Sequence, residues 1–278
     1  MINAAGQWGK ISDWMIMSDV DGTLVTKGDV MPPRNRDAIN RFVARGGRFA
    51  IASGRSFPRI AHFFEEININ APCVIFNGGA IYDKGAGQYQ MELLLPDIAK
   101  PYIDVLDQAP FPHGLGVVTR QNYYCVGADT HLMDELFTAR RQPHLQVNHW
   151  QDLETGWFKV LLIVPSLYQE EAMKFVTSKS FPGVRFTAAE PGLLEMLPEK
   201  SSKGYALEWF MAQTGLKREQ LAVVGDFYND IEMLDLAGFS AVPVEAPEDV
   251  KTHAGFITCP CSEGAVADVI EYLEARCQ

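Results

Sequence analysis

Along both ends of the chain, short apolar runs alternate with stretches in which apolar residues recur at helical spacing. "WMIM" (14–17) reads as a buried strand. "PPRNRDAINRFVARGG" places Ile39, Phe42 and Val43 on one helical face and stops at Gly46–Gly47, a helix-ending signal. "RFAIAS" is the next strand, "FPRIAHFFEEI" a helix, and "CVIFN" a third strand ending at "NGG". The same alternation returns near the end. There "SSKGYALEWFMAQTGL" is a helix with Leu207, Phe210 and Met211 inward, followed by the strand "LAVVGD" and the helix "NDIEMLDLAG". "FSAVPV", "APEDVKTHA", "FITC" and "EGAVADVIEYLEAR" continue the pattern as strand, helix, strand and helix. Strands alternating with helices predict an α/β fold, a parallel sheet flanked by helices.

The middle is patterned differently. Half-alternating strand candidates ("QYQMELLL", "GLGVVTRQNYYCVG", "WFKVLLIVP", "VRFTAA") mix with helices ("DIAKPYIDVLDQ", "DTHLMDELFTARR", "SLYQEEAMKFVTS"). This predicts an α+β module with an antiparallel sheet. It is inserted at 84–189 into a core made of 1–83 and 190–278.

Composition narrows the function classes. Of 278 residues, 47% are hydrophobic and 21% charged, which suits a globular protein with a substantial core. Lys and Arg number 24 against 35 Asp and Glu, a formal charge of −11 that disfavours nucleic-acid and membrane partners. The five cysteines are scattered and odd in number, unlike a disulfide framework, and "CPC" (259–261) has no second ligand pair at metal-site spacing. The opening "MINAAGQWGKISDW" lacks the apolar segment of a leader, and no run is long enough to span a membrane, so the expected location is cytoplasmic.

The first strand runs straight into "SDVDGT". Strand alternation would point Asp19 and Asp21 the same way, roughly 6.6 Å apart. At an effective dielectric of about 20 their charges repel by about 2.5 kcal/mol. Such a pair holds a proton or a cation between its members. A turn explains "DG" equally well, but carboxyl ends of parallel strands face the crevice where ligands bind. Three further groups fall at the same edge. Ser53 closes the second strand, with Gly54 and with Arg55 free to reach an anion. Lys203 opens a helix behind a Ser202 N-cap, against the helix dipole. Asp226 ends the strand "LAVV", with Asn229 and Asp230 opening the next helix. Each has an ordinary capping or turn explanation, yet each stands in order at a strand end or helix start. So many carboxylates in one crevice call for a hard cation, Mg2+, with Lys203 and Arg55 balancing a phosphate.

"DVDGT", "SGR", "SKG" and "GDFYND", in that order, resemble the four motifs of the haloacid dehalogenase (HAD) superfamily of phosphatases. The inserted module resembles the type IIB cap of the Cof-type branch, and "LLEMLPEKSSKGYAL" and "FNGGAIYD" resemble that branch's segments. The resemblance implies a Rossmann-like core whose Asp19 attacks phosphorus and forms an aspartyl-phosphate. Asp21 then protonates the leaving alcohol and deprotonates the hydrolytic water. Ser53 and Lys203 hold the phosphoryl oxygens. Asp19, the main-chain carbonyl of Asp21 and Asp226 bind Mg2+, with Asp230 behind them. Gly54, Arg55, Asn77 and Asn229 contact substrate. The expected partner is a small phosphorylated metabolite, a hexose phosphate foremost, met by a monomer or homodimer. Within the module Arg120, His113, Trp150 and Trp157 are lining candidates, although ordinary packing is favoured for each. His144 and His149 are five apart, which suits neither a helix face nor a strand face for metal binding. A phosphomutase of the phosphomannomutase kind and a catalytically silent binding module are the rival readings. A nucleotide-dependent oxidoreductase is disfavoured, since no G-x-G-x-x-G follows the first strand.

Overall fold

The apolar runs from both ends of the chain pair into a five-stranded sheet, ordered Phe256–Thr258, Phe239–Pro243, Leu221–Val224, Met15–Ser18, Arg48–Ile51. Every neighbouring pair in it is parallel. The computed structural model describes residues 8–26 and 28–277, so the first half of the stretch scanned for a leader lies outside the described residues. Met15–Ser18 and Leu221–Val224 are interior strands buried at every position, which is why apolar residues run without alternation through 15–17 and 221–224.

Helix Pro33–Ala44 buries Ala38, Ile39 and Phe42 and packs against the closing helix Ala265–Glu274. Its expected stop is met: Gly46 has φ +91°, and a Cβ on Gly47 would fall 2.4 Å from the Phe42 ring. Asn35, wholly buried, donates to the Leu24 carbonyl (2.9 Å) and accepts from the Ala267 amide (2.9 Å). One side chain thus ties the loop after the first strand to two helices. The expected helix "FPRIAHFFEEI" forms as two single turns, Phe57–Ile60 and Phe63–Glu66. Its aromatic and β-branched residues are weak helix formers, and burial of Ile60, Phe63 and Ile67 sets the path instead.

The third strand also departs from expectation. Among the described residues, the β-pairing of Cys73–Ile75 with the parallel sheet is confined to a bridge between Ala52 and Val74. It pairs antiparallel with Ala80–Asp83, which in turn pairs with Gln88–Glu92. The strand stops before Asn77 because Phe76 and Asn77 both take φ 54°, turning the chain back.

The chain divides into two units, one containing the sequence up to Glu92 and from Ser202 onward, the other Leu93–Ser201. Both dividing points fall later than the expected 83/84 and 189/190. Gln88–Glu92 hydrogen-bonds to Ala80–Asp83 and stays with the core. Val184–Glu190 and Leu193–Pro198 form a hairpin of the second unit's sheet.

That sheet has six strands, in the order Val184–Glu190, Leu193–Pro198, Trp157–Ile163, Gly114–Thr119, Tyr123–Val126, Leu145–Val147. All pairs are antiparallel except the last, which is parallel. The single run "GLGVVTRQNYYCVG" folds back as a hairpin, closed by Thr119 N donating to Asn122 O (2.9 Å). Three α-helices accompany the sheet, Tyr102–Leu106, His131–Ala139 and Gln169–Thr177. Trp157 is a core residue of this unit, and its indole donates to the Glu154 carbonyl (2.7 Å). Trp150 donates to Asp104 (2.8 Å), and the His113 ring bonds the Phe111 carbonyl (2.8 Å). Packing therefore accounts for these three lining candidates, while Arg120 is exposed. Among the described residues no helix is long and apolar enough to cross a membrane.

Replacing Asn35 by Ala orphans a carbonyl and an amide in the interior. Asn35→Ala is expected to destabilise the protein by roughly 2–4 kcal/mol, read as a lower urea midpoint at unchanged slope.

Candidate active site

The parallel strands deliver their last residues to one edge. Asp19 follows Ser18, and its amide donates to the Val224 carbonyl of the neighbouring strand (2.8 Å). The chain then curls, with the Val20 carbonyl accepting from Leu24 N (3.0 Å) and Val25 N (2.9 Å). Strand alternation therefore ends before Asp21, and the two aspartates do not share an environment as expected. Asp19 is 7% exposed, whereas the Asp21 side chain is 66% exposed. The Asp21 carboxylate is paired with Arg55, which donates from Nε (2.9 Å) and Nη2 (2.6 Å). Arg55 also pairs with Asp29. The guanidinium expected to await an anion is thus held by two acids. Burial works to lower its pKa, but Asp21 and Asp29 raise it further than burial lowers it. Asp29 was not singled out from the sequence; a "GD" turn is its only signal there.

Lys203 is the first residue of helix Lys203–Thr214, and the Ser202 hydroxyl caps it by accepting from Tyr205 N (3.0 Å). Although 1% exposed, Lys203 is doubly paired, with Nζ 2.5 Å from Asp19 Oδ1 and 2.6 Å from Asp230 Oδ1. Burial alone would lower its pKa; the two carboxylates raise it above the usual lysine range and keep it charged. The cost of a cation at a helix start is offset by those acids. Gly78 (φ +86°) lets the asparagine turn press on this helix start, since a Cβ there would overlap the Ser202 carbonyl.

Asp230 is anchored from both sides. Its Oδ2 accepts from Asp226 N (2.9 Å) and Phe227 N (3.1 Å), while Oδ1 faces Lys203. It fixes the backbone that carries Asp226. Asp226 in turn accepts from the Thr23 hydroxyl (3.0 Å) and lies against Gly22, where a Cβ would come within 2.5 Å of Oδ2.

Oxygens of Asp19, Asp226 and Asp230 all lie within 4.8 Å of one another. Three carboxylates thus share one ammonium. Burial pushes the Asp19 carboxyl well above its ordinary value, against the pull of Lys203 and with the other acids adding to the rise. Burial and then the Asp230 charge push Asp226 up to about 7. The donor atoms are all oxygen and carry surplus negative charge, which fits a hard divalent cation such as Mg2+. The Asp21 carboxylate, engaged by Arg55, is not in this group.

The remaining expected residues form a contiguous wall. Ser53 is buried, its hydroxyl accepts from Arg55 N (3.1 Å), and its carbonyl accepts from Asn77 N (3.0 Å). Asn229 donates to Asn77 Oδ1 (3.1 Å), and a Cβ on Gly54 would lie 2.9 Å from the Asn77 amide nitrogen. Of the "CPC" pair, the Cys261 thiol donates to the Thr23 carbonyl (3.4 Å) and Cys259 accepts from Arg34, so both serve packing and loop structure.

The family model for haloacid dehalogenase-like hydrolases matches residues 16–270. The 5-amino-6-(5-phospho-D-ribitylamino)uracil phosphatase YwtE of Bacillus subtilis is 25% identical over 292 residues, with 93% of this chain and 97% of the relative covered. A haloacid dehalogenase-like hydrolase from Bacteroides thetaiotaomicron has a crystal structure that superposes with a TM-score of 0.82 at 23% identity. It covers 94% of this chain and 99% of that one. A sugar phosphatase of HAD subclass IIB superposes at 0.77 and 17% identity, over 94% and 99% of the two chains. At such identities the structures speak for the fold, inserted α+β unit included. The family match itself runs through the strands that lead to Asp19, Ser53 and Asp226 and through the helix that carries Lys203. By that match the chain belongs to the haloacid dehalogenase-like hydrolases.

Proposed function

We propose that the protein is a Mg2+-dependent phosphatase that hydrolyses a small phosphorylated metabolite, with sugar phosphates as the leading class. The observation that carries this reading is the buried Lys203 held between Asp19 and Asp230, with Asp226 alongside. Such a cluster suits a dianionic phosphoryl group, and the relatives include a sugar phosphatase and a phosphoribitylamino-uracil phosphatase.

Asp19 attacks phosphorus through a carboxylate oxygen. The ester P–O bond breaks, the departing alcohol oxygen takes a proton from Asp21, and an aspartyl-phosphate remains. Water then attacks phosphorus, Asp21 takes its proton, and the bond to Asp19 breaks to release inorganic phosphate. Asp21 makes two hydrogen bonds with Arg55, so turning toward the leaving oxygen requires releasing at least one. Lys203 and Ser53 hold the phosphoryl oxygens, and Asp230 fixes both Lys203 and the Asp226 backbone. Asp19 and Asp226 would hold Mg2+, which when bound would supply positive charge to the phosphoryl oxygens and between these two acids. Gly54, Asn77 and Asn229 border the substrate side. The core residues suit only a phosphoryl group, so selection among metabolites is assigned to the inserted unit 93–201. Five free cysteines support a cytoplasmic location.

Asp19→Asn is expected to reduce turnover by several orders of magnitude while leaving the circular dichroism spectrum and melting temperature near those of the parent. Full activity in that variant would refute the mechanism. A panel of sugar phosphates assayed with Mg2+ should release inorganic phosphate and lose it on chelation. Isomerised sugar phosphate without phosphate release would instead establish a mutase.

The cluster also predicts a pH dependence. Asp226 titrates near 7 in the folded, metal-free protein, above the roughly 3.9 of an unfolded aspartate. The folded state therefore binds more protons in that window, and this group's contribution makes stability fall as pH rises from about 4 to about 7. Mg2+ binds the ionised cluster and offsets the loss. It should raise the melting temperature clearly at about pH 8 and much less at about pH 5.5; equal shifts at both would contradict the placement of the ion.

A further inference from the structure

A second set of metal-ligating atoms lies within the inserted unit and shares no residue with the site above. Cys125 Sγ, a carboxylate oxygen of Asp134 and a ring nitrogen of His144 lie within 4.8 Å of one another. Three elements bring them together. Cys125 is on strand Tyr123–Val126, Asp134 is on helix His131–Ala139, and His144 immediately precedes Leu145–Val147. The last strand pairs in parallel with that of Cys125, placing Cys125 opposite Gln146. Sequence spacing compared His144 only with His149; its neighbours in space, Asp134 and Cys125, lie 10 and 19 residues before it.

Two contacts orient the His144 ring. Nδ1 is 2.9 Å from the Gln142 carbonyl, which only accepts, so Nδ1 carries the hydrogen. In the neutral ring Nε2 then presents its lone pair to Asp134 Oδ1 at 2.9 Å. Two acceptors that close require a cation between them. A proton would satisfy this pair alone. The Cys125 thiol, however, converges on the same point, is fully buried, and among the described residues makes no hydrogen bond. A metal ion engages all three groups.

We propose that Cys125, Asp134 and His144 form a zinc site with a fourth position open to water. Thiolate, imidazole and carboxylate together select Zn2+ over Mg2+. Zinc–ligand bonds of about 2.0–2.3 Å are reachable from the present separations by small side-chain movements. Donation of Nδ1–H to a backbone carbonyl is the outer-shell arrangement typical of metal-bound histidine. Gln146 supports the carboxylate in the same way, its amide donating to Asp134 Oδ1 (3.1 Å). Asp134 is half-exposed and gives the ion its way in. Binding forms sulfur–zinc and nitrogen–zinc bonds, and both the thiol proton and the proton held between Nε2 and Asp134 leave to solvent. The ion would clip strand, helix and loop together at the sheet edge formed by Leu145–Val147.

The test uses the full-length, metal-free protein titrated with Co2+ and then competed with Zn2+. A thiolate-to-cobalt charge-transfer band should grow to a stoichiometric end point and vanish when Zn2+ is added. Cys125→Ser should remove the band. His144→Gln should weaken Co2+ binding by more than the roughly 10–100-fold that loss of an outer-shell partner costs. Cys261→Ser and Asp226→Asn should leave the band in place, which separates this site from the acidic cluster of the core. Absence of the band, its survival in Cys125→Ser, or unchanged affinity in His144→Gln would overturn the proposal. If Cys125→Ser does not fold, the partly exposed His144 still permits the measurement.

Discussion

One ammonium group organises the acidic edge of the parallel sheet. Lys203 is buried, and a buried lysine is tolerable only when opposite charge and hydrogen bonds replace its lost water. Asp19 and Asp230 supply both. Because those acids come from different parts of the chain, satisfying Lys203 draws three segments to one point: the end of the first strand, the start of the lysine helix and the turn after Leu221–Val224. The surrounding glycines follow from that closeness. Gly22 and Gly78 stand where a Cβ would strike Asp226 and the Ser202 carbonyl.

The same crowding leaves the cluster short of positive charge. Asp226 adds a third carboxylate, and burial raises the protonation range of Asp19 and Asp226 rather than quieting them. A site with this imbalance gains from a divalent ion and from a phosphoryl group that brings its own ligand oxygens. Arg55 plays another part than expected. Its pairing with Asp21 and Asp29 places it as a clamp on the more exposed aspartate, outside the buried cluster.

The inserted unit is built on its own sheet and its own core around Trp157 and neighbouring apolar residues. Its last residue, Ser201, directly precedes the N-cap of the lysine helix. The return point therefore coincides with a fixed structural position, and insertion of a whole unit leaves the register of Lys203 untouched.

Much of this was legible in the sequence. The alternation of buried strands and helices announced the parallel sheet, because apolar periodicity is a local property of each segment. Asp19, Ser53, Lys203 and Asp226 stood out because each stands at a strand end or helix start, where side chains leave the core. Three things needed the folded chain. The curl at Val20 separated Asp19 from Asp21, since it depends on where ladder hydrogen bonds stop. The unit boundaries moved because Gln88–Glu92 chose its partner across a turn. Pairings such as Arg55 with Asp29, or His144 with Cys125 and Asp134, join residues whose separation along the chain carries no period. Local sequence determined which residues were free to do chemistry; long-range packing alone decided which of them met.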